Sequence, residues 1–151
     1  MKSPLFLGAD HRGFRLKEKI KPWLQAQDFS FEDLGAYTYQ KDDDYPDFAV
    51  PVARAVLQTG GLGLLFCGSG VGADIIANKT PGIRSALGFN LRVTRQSREH
   101  ENVNILSLPA DHLNEDEAKK IIFTFLTTPF SAAPRHLRRL KKVKSYETSL
   151  S

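Results

Sequence analysis

Cys67 is the single cysteine of this 151-residue chain, and it stands directly before Gly68-Ser69-Gly70-Val71-Gly72-Ala73. Three alternating glycines permit positive φ and close backbone approach. Set between a buried strand and a helix, such a turn converges several amides on one point at a helix N-terminus, where an anion is favoured. A lone cysteine is most often a small buried core residue. Here the thiol lies at the mouth of the amide nest, and a helix N-terminus is expected to depress its pKa and favour thiolate. The same amides suit an oxyanion. A base beside an oxyanion site is equipped to abstract a proton alpha to a carbonyl.

Other glycine-rich chemistries fit less well. Gly68-x-Gly70-x-x-Ala73 matches the alanine variant of the dinucleotide fingerprint. That motif needs a ribose-binding acid about 20 residues on, after the next strand. The chain reads Gly88-Phe89-Asn90-Leu91 there, with no acid. No Gly-Lys-Ser/Thr follows the turn, so a phosphate loop of the Walker kind fails. A nucleophile elbow needs glycines two residues before and after its serine. Cys67 and Val71 hold those places around Ser69.

The elements around the turn follow from periodicity. Leu5–Ala9 reads as a short buried strand, and Phe14–Gln27 as an amphipathic helix with Leu16, Ile20, Trp23 and Leu24 on one face. Pro22 is expected to kink that helix. Phe29–Leu34 alternates like a strand, and residues 36–46 form a polar loop with the acidic run Asp42-Asp43-Asp44. Asp47 is expected to cap the next helix, which carries Phe48, Val52, Ala55 and Val56 and closes at Gly60-Gly61. Leu62–Phe66 is a nearly continuous apolar run, as in a parallel strand buried on both faces. A helix then runs to about Asn78, a strand spans Arg84–Phe89, a polar helix ends near Glu99, and a fifth strand spans Val103–Leu108. Asn114 and Glu117 resemble a capping box for a helix bearing Ala118, Ile121, Ile122, Phe125 and Leu126. A last, basic helix covers about residues 131–147.

Alternating strands and helices imply a single α/β domain over residues 1–151, a three-layer Rossmann-like sandwich with a five-stranded parallel sheet and a C-terminal basic helix. Ligands in such sheets sit at the carboxyl ends of the strands. Asp10-His11, the 67–72 turn, Phe89-Asn90 and the loop after Leu108 occupy those ends.

The bulk numbers bound the remaining possibilities. One cysteine excludes an internal disulfide and a cysteine-rich zinc site. No apolar run approaches the roughly 18–20 residues of a membrane span. The N-terminal apolar stretch is too short for a signal-peptide core, so a cytoplasmic protein is expected. The net charge of +4 is uneven. Residues 135–151 carry six Lys/Arg and one acid, whereas the rest carries 15 against 16. The basic tail therefore marks an anion site or a nucleic-acid footprint. No aromatic residues interleave with the charge as single-strand binding would need, which disfavours nucleic acid. His112 and His136 are expected at the surface.

The sequence resembles the type B ribose-5-phosphate isomerase family, which includes the galactose-6-phosphate isomerase subunits. The matching segments run in family order along nearly the whole chain: Gly8-Ala9-Asp10-His11-Arg12-Gly13-Phe14, Asp44-Tyr45-Pro46-Asp47-Phe48-Ala49, Cys67–Gly72, Ala77-Asn78-Lys79 with Gly82-Ile83-Arg84, Ser97-Arg98-Glu99-His100, Asn104-Ile105-Leu106, and Arg135-His136-x-x-Arg139. The resemblance implies interconversion of an aldose phosphate and its ketose through a cis-enediolate, without metal or cofactor. It makes Cys67 the base between C1 and C2, and Ser69 a helper in moving protons between the two oxygens. Amides of Gly68, Gly70, Val71 and Gly72 would hold the enediolate. His100 would open the furanose ring, Asp10 would orient hydroxyls, and Tyr45 would line the pocket. His11, Arg135 and Arg139 would hold the phosphate; the two arginines, four apart, share a helix face. The resemblance also implies homodimers or homotetramers with shared sites; from the charge and hydropathy pattern above, no nucleic-acid or membrane partner is expected.

Two positions depart from the family pattern. Glu101 stands after His100 where the family usually has Asn, and it would raise the pKa of His100 if the two approach. Asp111 stands in the loop after the fifth strand where the family often has a phosphate-binding Arg. Both add negative charge to the recognition shell. They leave open isomerisation of a six-carbon sugar phosphate, or a non-catalytic sugar-phosphate-binding paralogue.

Overall fold

Five strands, all parallel, form one sheet in the computed structural model, which describes residues 2–151. The strands are β1 (Leu5–Ala9), β2 (Glu32–Asp33), β3 (Leu62–Cys67), β4 (Ser85–Leu87) and β5 (Ile105–Pro109), in the order β2-β1-β3-β5-β4. The helices are α1 (Phe14–Ala26), α2 (Pro46–Thr59), α3 (Val71–Asn78), α4 (Leu91–Glu101), α5 (Glu115–Thr127) and α6 (Pro134–Ser149).

The sheet separates two apolar layers. On one face Leu16, Ile20 and Leu24 of α1 and Ile121, Ile122 and Phe125 of α5 pack on Leu7, Leu64, Phe66, Leu106 and Leu108. On the other, Ala49, Val52, Ala53 and Val56 of α2 and Ala73 and Ala77 of α3 cover Phe6, Leu65, Cys67 and Ile105. The expected three-layer sandwich is thus present. Its middle strands bury side chains on both faces, which is why β3 and β5 read as continuous apolar runs.

The chain leaves β1 in one direction to reach β2, and crosses the other way to β3. Adjacent strands that feed opposite sides of a sheet open a crevice at their carboxyl ends. Ala9 pairs with Phe66 in the β1–β3 register, so the residues that follow each strand meet in that crevice.

Several element ends differ from the periodicity. Only Glu32 and Asp33 of the Phe29–Leu34 run are strand; Phe29 and Phe31 instead pack as partly buried side chains against the core. The β4 strand is three residues long, because Asn90 leaves it to cap α4, its side chain accepting from the Val93 amide at 2.8 Å. Pro46, at the first helical position, starts α2 ahead of Asp47 and makes Tyr45 the cap residue. Helix α1 runs on through Pro22, whose ring faces solvent. Helix α6 begins at Pro134 and not near residue 131, because Ala132 has φ +52° and Ala133 is extended. The capping box at Asn114 and Glu117 is present, with both bonds at 2.8–2.9 Å.

Candidate active site

Asp10 and Cys67 follow paired residues of β1 and β3, and both are buried. Asp10 Oδ1 accepts from the backbone amides of Arg12 at 3.0 Å and Gly13 at 3.1 Å, which turns the chain sharply into α1. Gly13 is pressed onto β3 so closely that a Cβ there would lie 2.0 Å from the Phe66 carbonyl oxygen. Only glycine allows that approach, and the approach brings the Asp10 carboxylate beside the thiol.

Past Cys67 the glycine turn runs into α3, and the amides of Gly70 and Ala73 face the thiol. Gly70 has φ +76° and caps α3; a Cβ on it would lie 2.6 Å from Leu87 Cδ1. Ser69 is exposed, and its Oγ accepts from the Val71 amide at 3.2 Å. The pKa of Cys67 is raised, against the expectation from the helix N-terminus. Burial is the main cause and the neighbouring Asp10 charge the second, while the amides of Ala73 and Gly70 pull the other way without prevailing. The resting group is a thiol in a site that also offers its anion two amide donors.

Two side chains frame the turn. Tyr45 lies against Gly72, where a Cβ would come within 2.7 Å of the ring. Over Gly68 sits an ion pair between Arg12 and Asp111; a Cβ on Gly68 would lie 2.7 Å from Arg12 Nε and 2.9 Å from Asp111 Oδ2. The loop carrying Asp111 is held down by the Ala110 amide on the Cys67 carbonyl at 2.8 Å and the Asp111 amide on the Gly68 carbonyl at 3.0 Å.

His11 is fixed by Asp43. Its backbone amide and its Nδ1 both bond to Asp43 Oδ1, at 2.7 and 2.8 Å. The hydrogen bond that Asp43 accepts from the His11 ring raises the His11 pKa; burial opposes it, and the charges of Asp10 and Asp43 add to it. Asp43 Oδ2 is buried and, among the described residues, has no hydrogen-bond partner. Tyr39 stands edge-on to the His11 ring at 6.5 Å between centroids. His11, Arg12, Tyr39 and Asp111 line an open cleft of about 520 Å³ between the first turns of α1 and α5. Cys67, Ser69 and Tyr45 do not line it.

A second group assembles elsewhere. His100 lies near the end of α4, and its ring stacks on His136 of α6, with 4.5 Å between centroids and 30° between planes. His136 is 3% exposed, a correction to its expected surface position. It occupies the face of α6 turned to α4, while Arg135 and Arg139 point from the same helix to solvent. Glu101 is exposed, and among the described residues its carboxylate makes no hydrogen bond or ion pair; its carbonyl accepts from Arg84 Nε at 2.8 Å. Among the described residues, no hydrogen bond, ion pair or ring contact joins His100, Arg135 or Arg139 to Asp10, His11, Cys67 or Ser69.

Arg12, Asp43 and His136 carried no role in the sequence. Arg12 adjoins His11 at a strand end, which was a usable signal. Asp43 lay in an acidic run that gave no sign of which carboxylate would turn inward. No three His, Cys, Asp or Glu side chains among the described residues gather as a metal ion would require. No helix among them is long and apolar enough to cross a membrane.

The profile of the family described as Ribose/Galactose Isomerase matches residues 5–143. Ribose-5-phosphate isomerase B of Mycolicibacterium paratuberculosis is 40% identical over 144 residues, covering 95% of this chain and 91% of the relative. A solved ribose-5-phosphate isomerase B from Clostridium thermocellum superposes with a TM-score of 0.93 at 37% identity, covering 98% and 99% of the two chains. The Mycoplasma genitalium structure, with bound ribulose-5-phosphate, gives a TM-score of 0.92 at 37% identity over 96% of each chain.

Proposed function

The chain belongs to the ribose/galactose isomerase family, and we propose that it interconverts ribose 5-phosphate and ribulose 5-phosphate with Cys67 as the base. The observation that carries this reading is the Cys67 thiol set between the Asp10 carboxylate and the Gly70 and Ala73 amides. As thiolate, Cys67 takes the C2 proton of the open-chain aldose, and the electron pair moves onto the C1 oxygen. The amide nest stabilises the enediolate charge as it forms. The Ser69 hydroxyl, exposed at the turn, passes a proton from O2 to O1. Cys67 then returns its proton to C1, and the carbonyl re-forms at C2. A thiol with a raised pKa yields a scarcer but stronger base.

Before that chemistry the furanose must open, a task we assign to His100, with Asp10 and Tyr45 orienting the sugar. His11, held by Asp43 in a state that favours its charge, and Arg135 and Arg139 take the phosphate. The Cys67 group and the His100 group stand apart within one chain, which supports a homodimer or homotetramer in which each complete site draws on two subunits. Mixing inactive Cys67→Ala and His100→Ala chains under exchange conditions tests this: activity returns if sites are shared and stays absent if each chain is self-sufficient. A free, buried thiol suits a reducing compartment, and we place the enzyme in the cytoplasm.

Glu101 favours a second reading, a preference for a six-carbon sugar phosphate, because its exposed carboxylate follows His100. Asp111 no longer supports that reading, since Arg12 pairs with it. Coupled assays with ribose 5-phosphate and a panel of hexose 6-phosphates decide the matter. The expected result is a higher kcat/KM for the pentose; a clear hexose preference rejects it.

A further inference from the structure

We propose that His136 is a positioning residue that holds the His100 imidazole in the orientation needed to open the sugar ring, an inference that rests on the role assigned to His100 above. The two rings stack at 4.5 Å, so one face of His100 is occupied by His136. His136 is itself clamped. Its Nδ1 is hydrogen-bonded to Ser131 Oγ at 2.7 Å, and the Ser131 amide donates to the Glu99 carbonyl of α4 at 3.1 Å. The Ala133 amide, just before α6, also donates to Ser131 Oγ at 3.3 Å. The loop before α6 is thereby tied to the residue preceding His100, and His136 is fixed between the two helices.

A merely space-filling side chain at position 136 would be apolar, since burying an imidazole carries a cost that a hydrogen bond must offset. This imidazole has that bond and lies flat on the ring of a second histidine. The stack removes the rotation that would otherwise let the His100 ring wander about its terminal torsion, which is a broad one. Several polar, charged or titratable groups face His136. They are His100 and Glu101 from α4, Arg135 and Arg139 from α6 and Ser131 from the loop. Burial first, then the charges of Arg135, His100 and Arg139, lower the His136 pKa, against Glu101. The His136 ring is thereby disposed to stay neutral where it stacks on His100.

The chemistry of the two substrates separates this role from general stability. Ribose 5-phosphate binds as a furanose and must be opened. Ribulose 5-phosphate, with its carbonyl at C2 and its O5 phosphorylated, has no such ring. Enzyme-catalysed exchange of its C1 proton with deuterium in heavy water needs Cys67 and the nest but no ring opening. His136→Ala is expected to lower turnover of ribose 5-phosphate by about 10–100-fold, the scale of a misplaced catalytic group, while C1 exchange changes by less than about threefold. His136→Phe keeps a flat ring on His100 while losing the Ser131 bond, and is expected to retain several-fold more turnover than His136→Ala. If His136→Ala does not fold, His136→Leu carries the same expectation. The inference is overturned if turnover and exchange fall together in a variant with native melting temperature, if neither changes, or if His136→Phe fails as His136→Ala does. His100→Ala is the control. Losing turnover while keeping exchange upholds the ring-opening role; losing both defeats that role itself, whatever the His136 variants do.

Discussion

The Arg12 guanidinium is ion-paired with the Asp111 carboxylate directly over Gly68, joining the turn after the first strand to the loop after the last. This pair changes the meaning of Asp111. The carboxylate does not confront the substrate as an uncompensated charge, because a cation 99 residues away in the chain already meets it.

The pair is largely exposed, so it contributes little to stability, within about 1 kcal/mol. Its effect belongs to recognition. Asp111→Asn frees the Arg12 charge beside the nest and is expected to lower KM for the phosphorylated sugar by about two- to fivefold, the effect of about 1 kcal/mol of screened attraction. Arg12→Ala leaves Asp111 bare and is expected to raise KM by a similar factor. Steady-state kinetics at two salt concentrations check both, and the differences shrink at high salt.

The raised thiol pKa of Cys67 sets the pH dependence. The base must be deprotonated, so its active fraction grows with pH, and kcat/KM is expected to keep rising through neutrality toward values above the ordinary thiol value of 9.0. Asp10→Asn removes a negative neighbour and is expected to shift this limb to lower pH, even as kcat falls. The rate of Cys67 alkylation by a small haloacetamide, followed against pH in both proteins, reports the shift directly.

His11 titrates in the opposite sense. Its raised pKa keeps the imidazolium to higher pH, and the Asp43 hydrogen bond is the main cause. In Asp43→Asn the charge is expected to be lost at lower pH, so that KM at neutral pH rises several-fold while kcat changes less. The stabilisation this pair gives the fold is complete below the unfolded value near 6.5 and disappears as pH rises through the higher folded value. Proton NMR titration of the ring, in wild type and variant, measures the change.

Gly13 tests the crevice itself. A methyl group there would meet the Phe66 backbone at 2.0–2.1 Å, and neither strand nor helix can easily give way. Gly13→Ala is expected to cost about 2–3 kcal/mol, a melting-point drop of roughly 5–10 °C for a chain of this size. A drop below about 1 °C would show the contact to be soft.

The sequence carried the interior more clearly than the edges. Leu62–Phe66 announced a central strand because both of its faces are buried, and Cys67 joins it for the same reason. The edge strand β2 was overread because Phe29 and Phe31 alternate, yet they bury themselves without pairing. The glycine turn was legible from its three alternating glycines, of which Gly70 takes the positive φ. The thiol pKa was not, because the helix N-terminus is a local signal, whereas burial comes from the packed fold and the Asp10 charge from a turn 57 residues earlier. His136 was hidden for a similar reason. A histidine in a basic helix reads as surface until the packing partner, here α4, is known.

The role of Cys67 as the enediolate base is tested most directly by the C1 proton of ribulose 5-phosphate in heavy water. Wild-type protein is expected to exchange it with solvent deuterium. Cys67→Ala is expected to slow that exchange by about a thousandfold or more, since general-base assistance alone contributes about 10²–10⁴-fold, while ribulose 5-phosphate still binds in calorimetry. Exchange at the wild-type rate in a folded, substrate-binding Cys67→Ala protein would contradict the account.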